Sequence, residues 1–294
     1  MPSLKTLDIR LNGNPEDIQA SVELWDCNSS FPALESFTID GTDVAVKFSF
    51  QSLSCDQVLD LNIIRVDVFR DREHVKYITG FKRLRSLGLH LYHPEAQPLK
   101  CLPLSSHGSL HSLKLSSSMG ILPRLMGDTS FIHHLELTTR GYDPLRDLES
   151  TDLPCLRTVS HPTAFLHCNK RLSWFIRNCP SIFAIEMHPT ACYKLLGWIF
   201  SERLTSHNVR FVRFLAPNRA DNIHQDALRR WLRSKWAPRF EWVFLDAYQS
   251  TSNRSLNINE QLRVLAEEFP KQVRWIEDDE AIPINEILSL GADG

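Results

Sequence analysis

Glycine is scarce, with 11 residues in a chain of 294 that occur mostly singly. A Gly-rich loop able to cradle phosphates is therefore absent. No run of 18 apolar residues occurs, so no membrane-spanning helix is expected. An excess of one charge is missing as well. Lys and Arg total 33 against 35 Asp and Glu, and a net charge of -2 excludes a histone-like or generally polybasic protein. The opening stretch MPSLKTLDIRLNGNPED has no apolar core segment and no small-residue cleavage site, so no secretory signal is expected. The seven cysteines are odd in number and form no C-x-x-C pair. They read as reduced thiols in the cytosol or nucleus. The strings G-x-S-x-G, H-E-x-x-H and D-x-D-x-D-G are also missing. No enzyme reaction and no cofactor are expected.

What the chain does have is apolar content, 43%, enough for a large core and too much for disorder at so small a net charge. That content is periodic. A motif apolar-x-x-apolar-x-apolar runs along nearly the whole sequence. It stands at Leu4/Leu7/Ile9, Leu34/Phe37/Ile39, Val58/Leu61/Ile63, Leu84/Leu87/Leu89, Leu110/Leu113/Leu115 and Ile132/Leu135/Leu137. It continues at Leu156/Val159, where His161 replaces the third anchor, then Ile182/Ile185/Met187, Val209/Val212/Phe214 and Phe240/Val243/Leu245. Successive copies are 22 to 31 residues apart, about 26 on average, within the range of leucine-rich repeats. Two anchors separated by one residue point to the same side of a strand. The anchor three residues earlier closes the turn that precedes it. A single unit cannot bury its apolar side alone, so units stack.

The segments between strands often carry helical spacing. Helices are expected over about 15–27, 71–79, 168–178, 191–206, 221–236 and 259–269. Asn14-Pro15-Glu16-Asp17 gives a cap, a Pro at the first helical position and acids in the first turn. The fold expected is α/β: an irregular solenoid over residues 1–276, with parallel strands on a concave face and helices or loops on a convex face. Residues 277–294 form an acidic tail or cap.

FPALESFTI, FKRLRSLGLHL, GSLHSLKL, LPCLRTV and CPSIFAIEM resemble the leucine-rich-repeat region of fungal F-box/LRR-type proteins. The resemblance covers about residues 1–276. It implies a substrate-recognition surface of the kind that serves ubiquitin-ligase receptors. Regular repeats place an Asn three residues after the last anchor, and here only Asn12 stands there, so no asparagine ladder and an irregular curvature are expected. The chain starts inside a repeat at Leu4, with no room for an F-box before it. The expectation is thus the receptor's recognition part without its ligase anchor, or a free-standing scaffold with no ubiquitin role. An α/β enzyme is a third class, without motif support.

The expected partner is a protein on the strand face. The register that buries Val212, Phe214, Val243 and Leu245 turns Phe211, Arg213, Leu215, Trp242 and Phe244 outward, and aromatics beside an Arg are the composition of binding hot spots. An equal expectation is that residues 282–290 fold back over this cluster as a cap. Alternation also sends His134 and Glu136 outward together, and Glu186 with His188. The Cys/His-rich stretch Cys155, His161, His167, Cys168 and Cys179 has ligand types for zinc but no zinc-motif spacing, so no metal is expected. RRWLRSKWAPRFEW, residues 229–242, interleaves basic and aromatic residues as single-stranded nucleic-acid binders do. It reads better as an amphipathic helix with Trp231 inward.

Overall fold

The computed structural model describes residues 4–11, 22–23, 33–41, 48–49, 57–64, 78, 81–91, 101–104, 108–117, 122–139, 148, 151–161, 177–187, 208–214, 225–233, 242–246 and 253–276. The chain divides into two compact units, Met1–Leu156 and Arg157–Gly294.

The N-terminal unit holds, in chain order, β1 (Thr6–Leu11), β2 (Val22–Glu23), β3 (Ser36–Gly41), β4 (Phe48–Ser49), β5 (Asp60–Ile64), β6 (Ser86–Leu91), β7 (Cys101–Pro103), β8 (Ser112–Ser117), β9 (Arg124–Met126) and β10 (His134–Thr139). The order in its main sheet is β1-β3-β5-β6-β8-β10, parallel throughout. Each anchor pairs with the same anchor of the next turn: Leu7 with Phe37, Leu61 with Leu87, Leu113 with Leu135. The stack is therefore a solenoid, leucine-rich-repeat-like and irregular.

The anchors make the core. Leu34, Phe37, Ile39, Leu84, Leu87, Leu113, Leu115, Leu135 and Leu137 are buried. Burying each such side chain contributes about 1.5–3 kcal/mol. Leu4, Leu7 and Ile9 of the first repeat are only half-buried. The first anchor does close the preceding turn. The N–H of Leu84 donates to Phe81 O and that of Ile132 to Thr129 O, at 3.5 and 3.2 Å.

A second regularity lies one residue further on. The carbonyl of Lys5 accepts from the N–H groups of both Glu35 and Ser36. Glu35 O takes Leu59 and Asp60 in the same way, Leu59 O takes Arg85 and Ser86, Arg85 O takes His111 and Ser112, and His111 O takes His133 and His134. One carbonyl thus joins each turn to two donors of the next at distances of 2.7–3.1 Å. This backbone ladder holds the turns in register where an asparagine ladder is lacking.

Two short parallel pairs, β2 with β4 and β7 with β9, stand outside the main sheet. The helix expected over 15–27 is overturned at Val22–Glu23, which is strand. Stacked turns bring a backbone partner, Phe48–Ser49, alongside a β-branched Val, and that pairing prevails over the helical spacing. Ile78 and Arg177–Asn178 are helical, inside or at the end of their expected segments. Residues 191–206 lie outside the described residues.

The C-terminal unit holds β11 (Thr158–His161), β12 (Ala184–Met187), β13 (Phe211–Phe214), α1 (Gln225–Leu232), β14 (Trp242–Asp246), α2 (Asn253–Glu268) and β15 (Val273–Ile276). Its strands are parallel in the order β11-β12-β13-β14-β15. The same ladder recurs: Arg157 O accepts from Phe183 and Ala184, and Phe183 O from Arg210 and Phe211. Helix α1 lies within the expected 221–236 and buries Leu228, Trp231 and Leu232. Helix α2 starts earlier than expected, at Asn253, and buries Leu262 and Leu265. Among the described residues no helix is long and apolar enough to cross a membrane.

The packing predicts a sharp contrast. Leu87→Ala, Leu113→Ala and Leu135→Ala should each destabilise the chain by roughly 2–5 kcal/mol in urea unfolding, through lost burial and a residual cavity. Ser86→Ala and Ser112→Ala, on the opposite side of the same strands, should stay within about 1 kcal/mol of wild type. Equal effects in both sets would contradict the register.

Candidate functional site

Alternation turns every second strand residue away from the anchors. In the N-terminal unit this outward side is built of three polar rows. The lowest carries Ser36, Asp60, Ser86, Ser112 and His134, which are paired strand to strand. The middle row carries Asp8, Thr38, Asn62, Gly88, Lys114 and Glu136. The upper row carries Arg10, Asp40, Ile64, His90, Ser116 and Thr138. Ile64 is its one large apolar residue.

Sequence reading placed His134 and Glu136 outward together, and both stand on this face, half-buried. Glu136 pairs with Lys114 of the neighbouring strand at 2.7 Å. Burial holds the His134 imidazole below its ordinary pKa; Glu136 pulls it up and Lys114 pushes it further down. At the upper row Ser116 Oγ and His90 Nδ1 hydrogen-bond at 2.8 Å. Just before the strands, the rings of His111 and His133 stack 4.9 Å apart, and His111 Nδ1 donates to Phe131 O at 3.3 Å. Asp60 has its pKa raised, first by partial desolvation; Arg85 lowers it and Glu35 raises it. At the other end of the unit Arg10 pairs with Asp8 at 3.1 Å and Lys5 with Glu35 at 3.0 Å.

The C-terminal unit differs. Val212 and Phe214 are buried as anchors, as the register requires, but Phe211 on the other side is buried too, at 5% exposure. The expectation of an exposed Phe211 is therefore corrected. Its ring meets Phe183 edge to face at 6.0 Å, and it belongs to a buried cluster with Ala184 and Ile276. Thr158, Ser160 and Glu186, also outward by alternation, are buried as well. The sheet at β11–β13 is covered on both sides. Arg213 does not stand free as a hot spot. Its Nη1 lies 3.2 Å from Glu186 Oε1, and both side chains are about nine-tenths buried, at 11% and 10% exposure. This pair joins two residues that sequence reading had placed on the face separately. Trp242 and Phe244 lie in β14 at the register positions of Phe211 and Arg213, but their side chains lie outside the described residues. Leu215, His188 and residues 282–290 lie outside them entirely.

The basic stretch on α1 is largely committed. Arg229 and Arg233 both donate to the Glu268 carboxylate of α2, at 2.8 and 2.5 Å. Among the described residues no three His, Cys, Asp or Glu side chains gather as a metal site. Cys155 is exposed and Cys179 buried; Cys168 and His167 fall outside the described residues. No family model matches the sequence, and no curated protein does either.

Sequence reading missed Asn62, Gly88, Lys114, His90 and Ser116. The available signal was the polar residue between the second and third anchors of successive repeats, which the register sets side by side.

Two predictions follow from these side chains. The folded state disfavours the charged form of His134, so the unfolded chain takes up the proton first as pH falls through the ordinary imidazole value of about 6.5. Stability should rise with pH across that window and be lost below it. His134→Gln should flatten the acid limb of a urea midpoint measured between pH 7 and 5, whereas an unchanged limb would mean His134 is not the group titrating. Arg213→Met leaves the Glu186 carboxylate buried without its partner and should cost about 3–5 kcal/mol, while Glu186→Leu/Arg213→Met together should cost much less. A double variant as unstable as the single one would show that the pair is not the reason.

Proposed function

We propose that the chain is a protein-interaction module and that its partner docks on the outward strand face of the N-terminal unit. The observation that carries this reading is the contrast between the two sides of one set of strands. The anchor side is apolar and, beyond the first repeat, buried. The other side presents hydroxyls, carboxylates, imidazoles and an amide, most of them half-exposed, on a backbone fixed by the carbonyl ladder. A rigid array of alternating donors and acceptors gives specificity to a polypeptide partner without needing an apolar patch. His134 and Glu136 belong to this surface. Arg213 and Glu186 support the sheet from within, and Phe211 is core.

The repeat strings favour a role like the substrate-recognition part of an F-box/LRR ubiquitin-ligase receptor. A free-standing scaffold with no ubiquitin role is the second reading. The free thiols of Cys101, Cys155 and Cys179 suit a reducing compartment, the cytosol or nucleus. The reading assigns no chemical step and no cofactor. It assigns no nucleic-acid partner either, because Arg229 and Arg233 are engaged by Glu268.

Proximity labelling with wild type, Lys114→Glu and Lys82→Glu tests the proposal. Lys114→Glu breaks the ion pair with Glu136 and reverses a charge in the middle row. Lys82→Glu makes the same change in the turn before β6. Partners lost with Lys114→Glu and kept with Lys82→Glu are the expected result. Equal labelling by all three would place the partner elsewhere. Recovery of a cullin-ligase adaptor among the partners would favour the receptor reading, and partners without one the scaffold.

A further inference from the structure

The main sheet ends at β1. Among the described residues this strand pairs with β3 on one side and with no strand on the other. The carbonyl of Lys5 accepts from Glu35 and Ser36, so the backbone groups of Lys5, Leu7 and Ile9 turn towards β3. Alternation then points the N–H and C=O of Thr6, Asp8 and Arg10 away from the sheet. Such a row is a template for a further strand. The apolar side of β1 is also short of cover. Phe37 and Ile39, its register partners on β3, are wholly buried, whereas Leu7 and Ile9 are only half-buried.

Charge on an edge strand commonly keeps other chains off it, and β1 exposes Asp8 and Arg10 on its outward side. Their order does not repel a second copy of the same strand. A two-fold axis perpendicular to the sheet lays β1 antiparallel to β1, with like sides together. The outward-pointing backbone groups belong to Thr6, Asp8 and Arg10, so only registers that set these residues opposite one another can bond. Of the registers that overlap most of the strand, one centres on Asp8 and sets aspartate against aspartate. Another centres on Arg10 and sets arginine against arginine. The register centred on Ile9 sets Asp8 opposite Arg10 of the second copy, and Arg10 opposite its Asp8. Ile9 then meets Ile9 on the apolar side. Opposite charges stabilise a directly facing pair and like charges destabilise it. Asp8 and Arg10 already touch within one strand, at 3.1 Å, so the joined edges carry a square of charges alternating in sign. Neighbouring charges stand back from this square. Lys5 is bound to Glu35 at 3.0 Å, and Asp40, engaged in contacts of its own, lies behind Arg10 on β3.

We infer that the chain forms a two-fold dimer through its β1 edges, in the register that sets Asp8 opposite Arg10. The second copy supplies the next strand and covers Leu7 and Ile9. The contact is isologous and closes on itself, which stops the open-ended growth that a bare edge invites. This dimer is independent of the strand-face reading. It uses the edge of the sheet and leaves the outward rows of both copies exposed, side by side across the axis.

The test is sedimentation equilibrium of the full chain over a wide concentration range, with hydrogen exchange at the edge amides. A contact of one strand is at the small end of specific interfaces. Wild type should therefore pass from monomer to dimer as concentration rises, with no larger species, and the Asp8 and Arg10 amides should gain protection in step. Asp8→Arg faces arginine with arginine, and Arg10→Asp faces aspartate with aspartate. Each should weaken dimerisation about tenfold or more. Both positions are exposed, so thermal midpoints should stay close to wild type. Mixed in equal amounts, the two variants should pair with each other as tightly as wild type pairs with itself. The double variant Asp8→Arg/Arg10→Asp should dimerise alone. Failure of the mixture and of the double variant to dimerise would overturn the inference. A wild type monomeric throughout would overturn it too, and protected Asp8 and Arg10 amides would then assign the edge to another part of the same chain. Assemblies that keep growing with concentration would replace the closed dimer by head-to-tail stacking. A dimer indifferent to both single substitutions would lie on some other surface.

Discussion

One carbonyl per turn, shared between two N–H groups of the next turn, sets everything else in this molecule. Lys5, Glu35, Leu59, Arg85 and His111 supply it in the N-terminal unit, and Arg157 and Phe183 in the C-terminal one. These side chains have nothing in common, and they need nothing in common, because the bond is made by the backbone. Each carbonyl lies between the first and second anchors. It therefore fixes where the strand starts relative to its neighbour, and anchors fall opposite anchors at every turn. A ladder of asparagine side chains would do the same work at the cost of a fixed residue per repeat. Without it the sequence is free to drift at that position.

Register determines the rows, and the rows determine chemistry. Because residue-for-residue pairing is maintained from β1 to β10, single polar residues widely separated in sequence become neighbours: Asn62 beside Gly88, Lys114 beside Glu136, His90 beside Ser116. The same rule sets Glu186 beside Arg213 in the C-terminal unit. There the outcome differs, since the outward side is covered. In water the Lys114–Glu136 contact is a modest surface pair that salt weakens. Glu186 and Arg213 are held away from solvent, where each charge depends on the other.

The sequence foretold the anchors because they are large, apolar and spaced at a constant offset within each repeat. Leu34, Phe37 and Ile39 were identifiable from residue type alone. It foretold less of the returns. Two-residue and three-residue strands such as β2 and β7 are too short to show a period, and what makes them strands is the turn stacked beside them. Alternation correctly sent Phe211 away from the anchor side. It did not tell whether that side is open, because coverage depends on chain remote in sequence. The Asn62 and Gly88 pairing was written as an isolated glycine inside a strand pattern, RSLGLHL, and needed the register to show which residue stands beside it.

The carbonyl ladder also bears on how such a chain can change. Copies of the motif are separated by 22 to 31 residues, yet within each unit anchor stands opposite anchor from strand to strand. A return can therefore gain or lose residues without disturbing the face opposite. A single residue added between the first anchor and the strand has the contrary effect: it inverts the two sides of that strand and drives a polar row into the core. Such a solenoid tolerates length variation on its back and none at its strand entrances. Its outward rows, meanwhile, can be rewritten one residue at a time without moving the anchors, because the register is held by backbone bonds and not by those side chains.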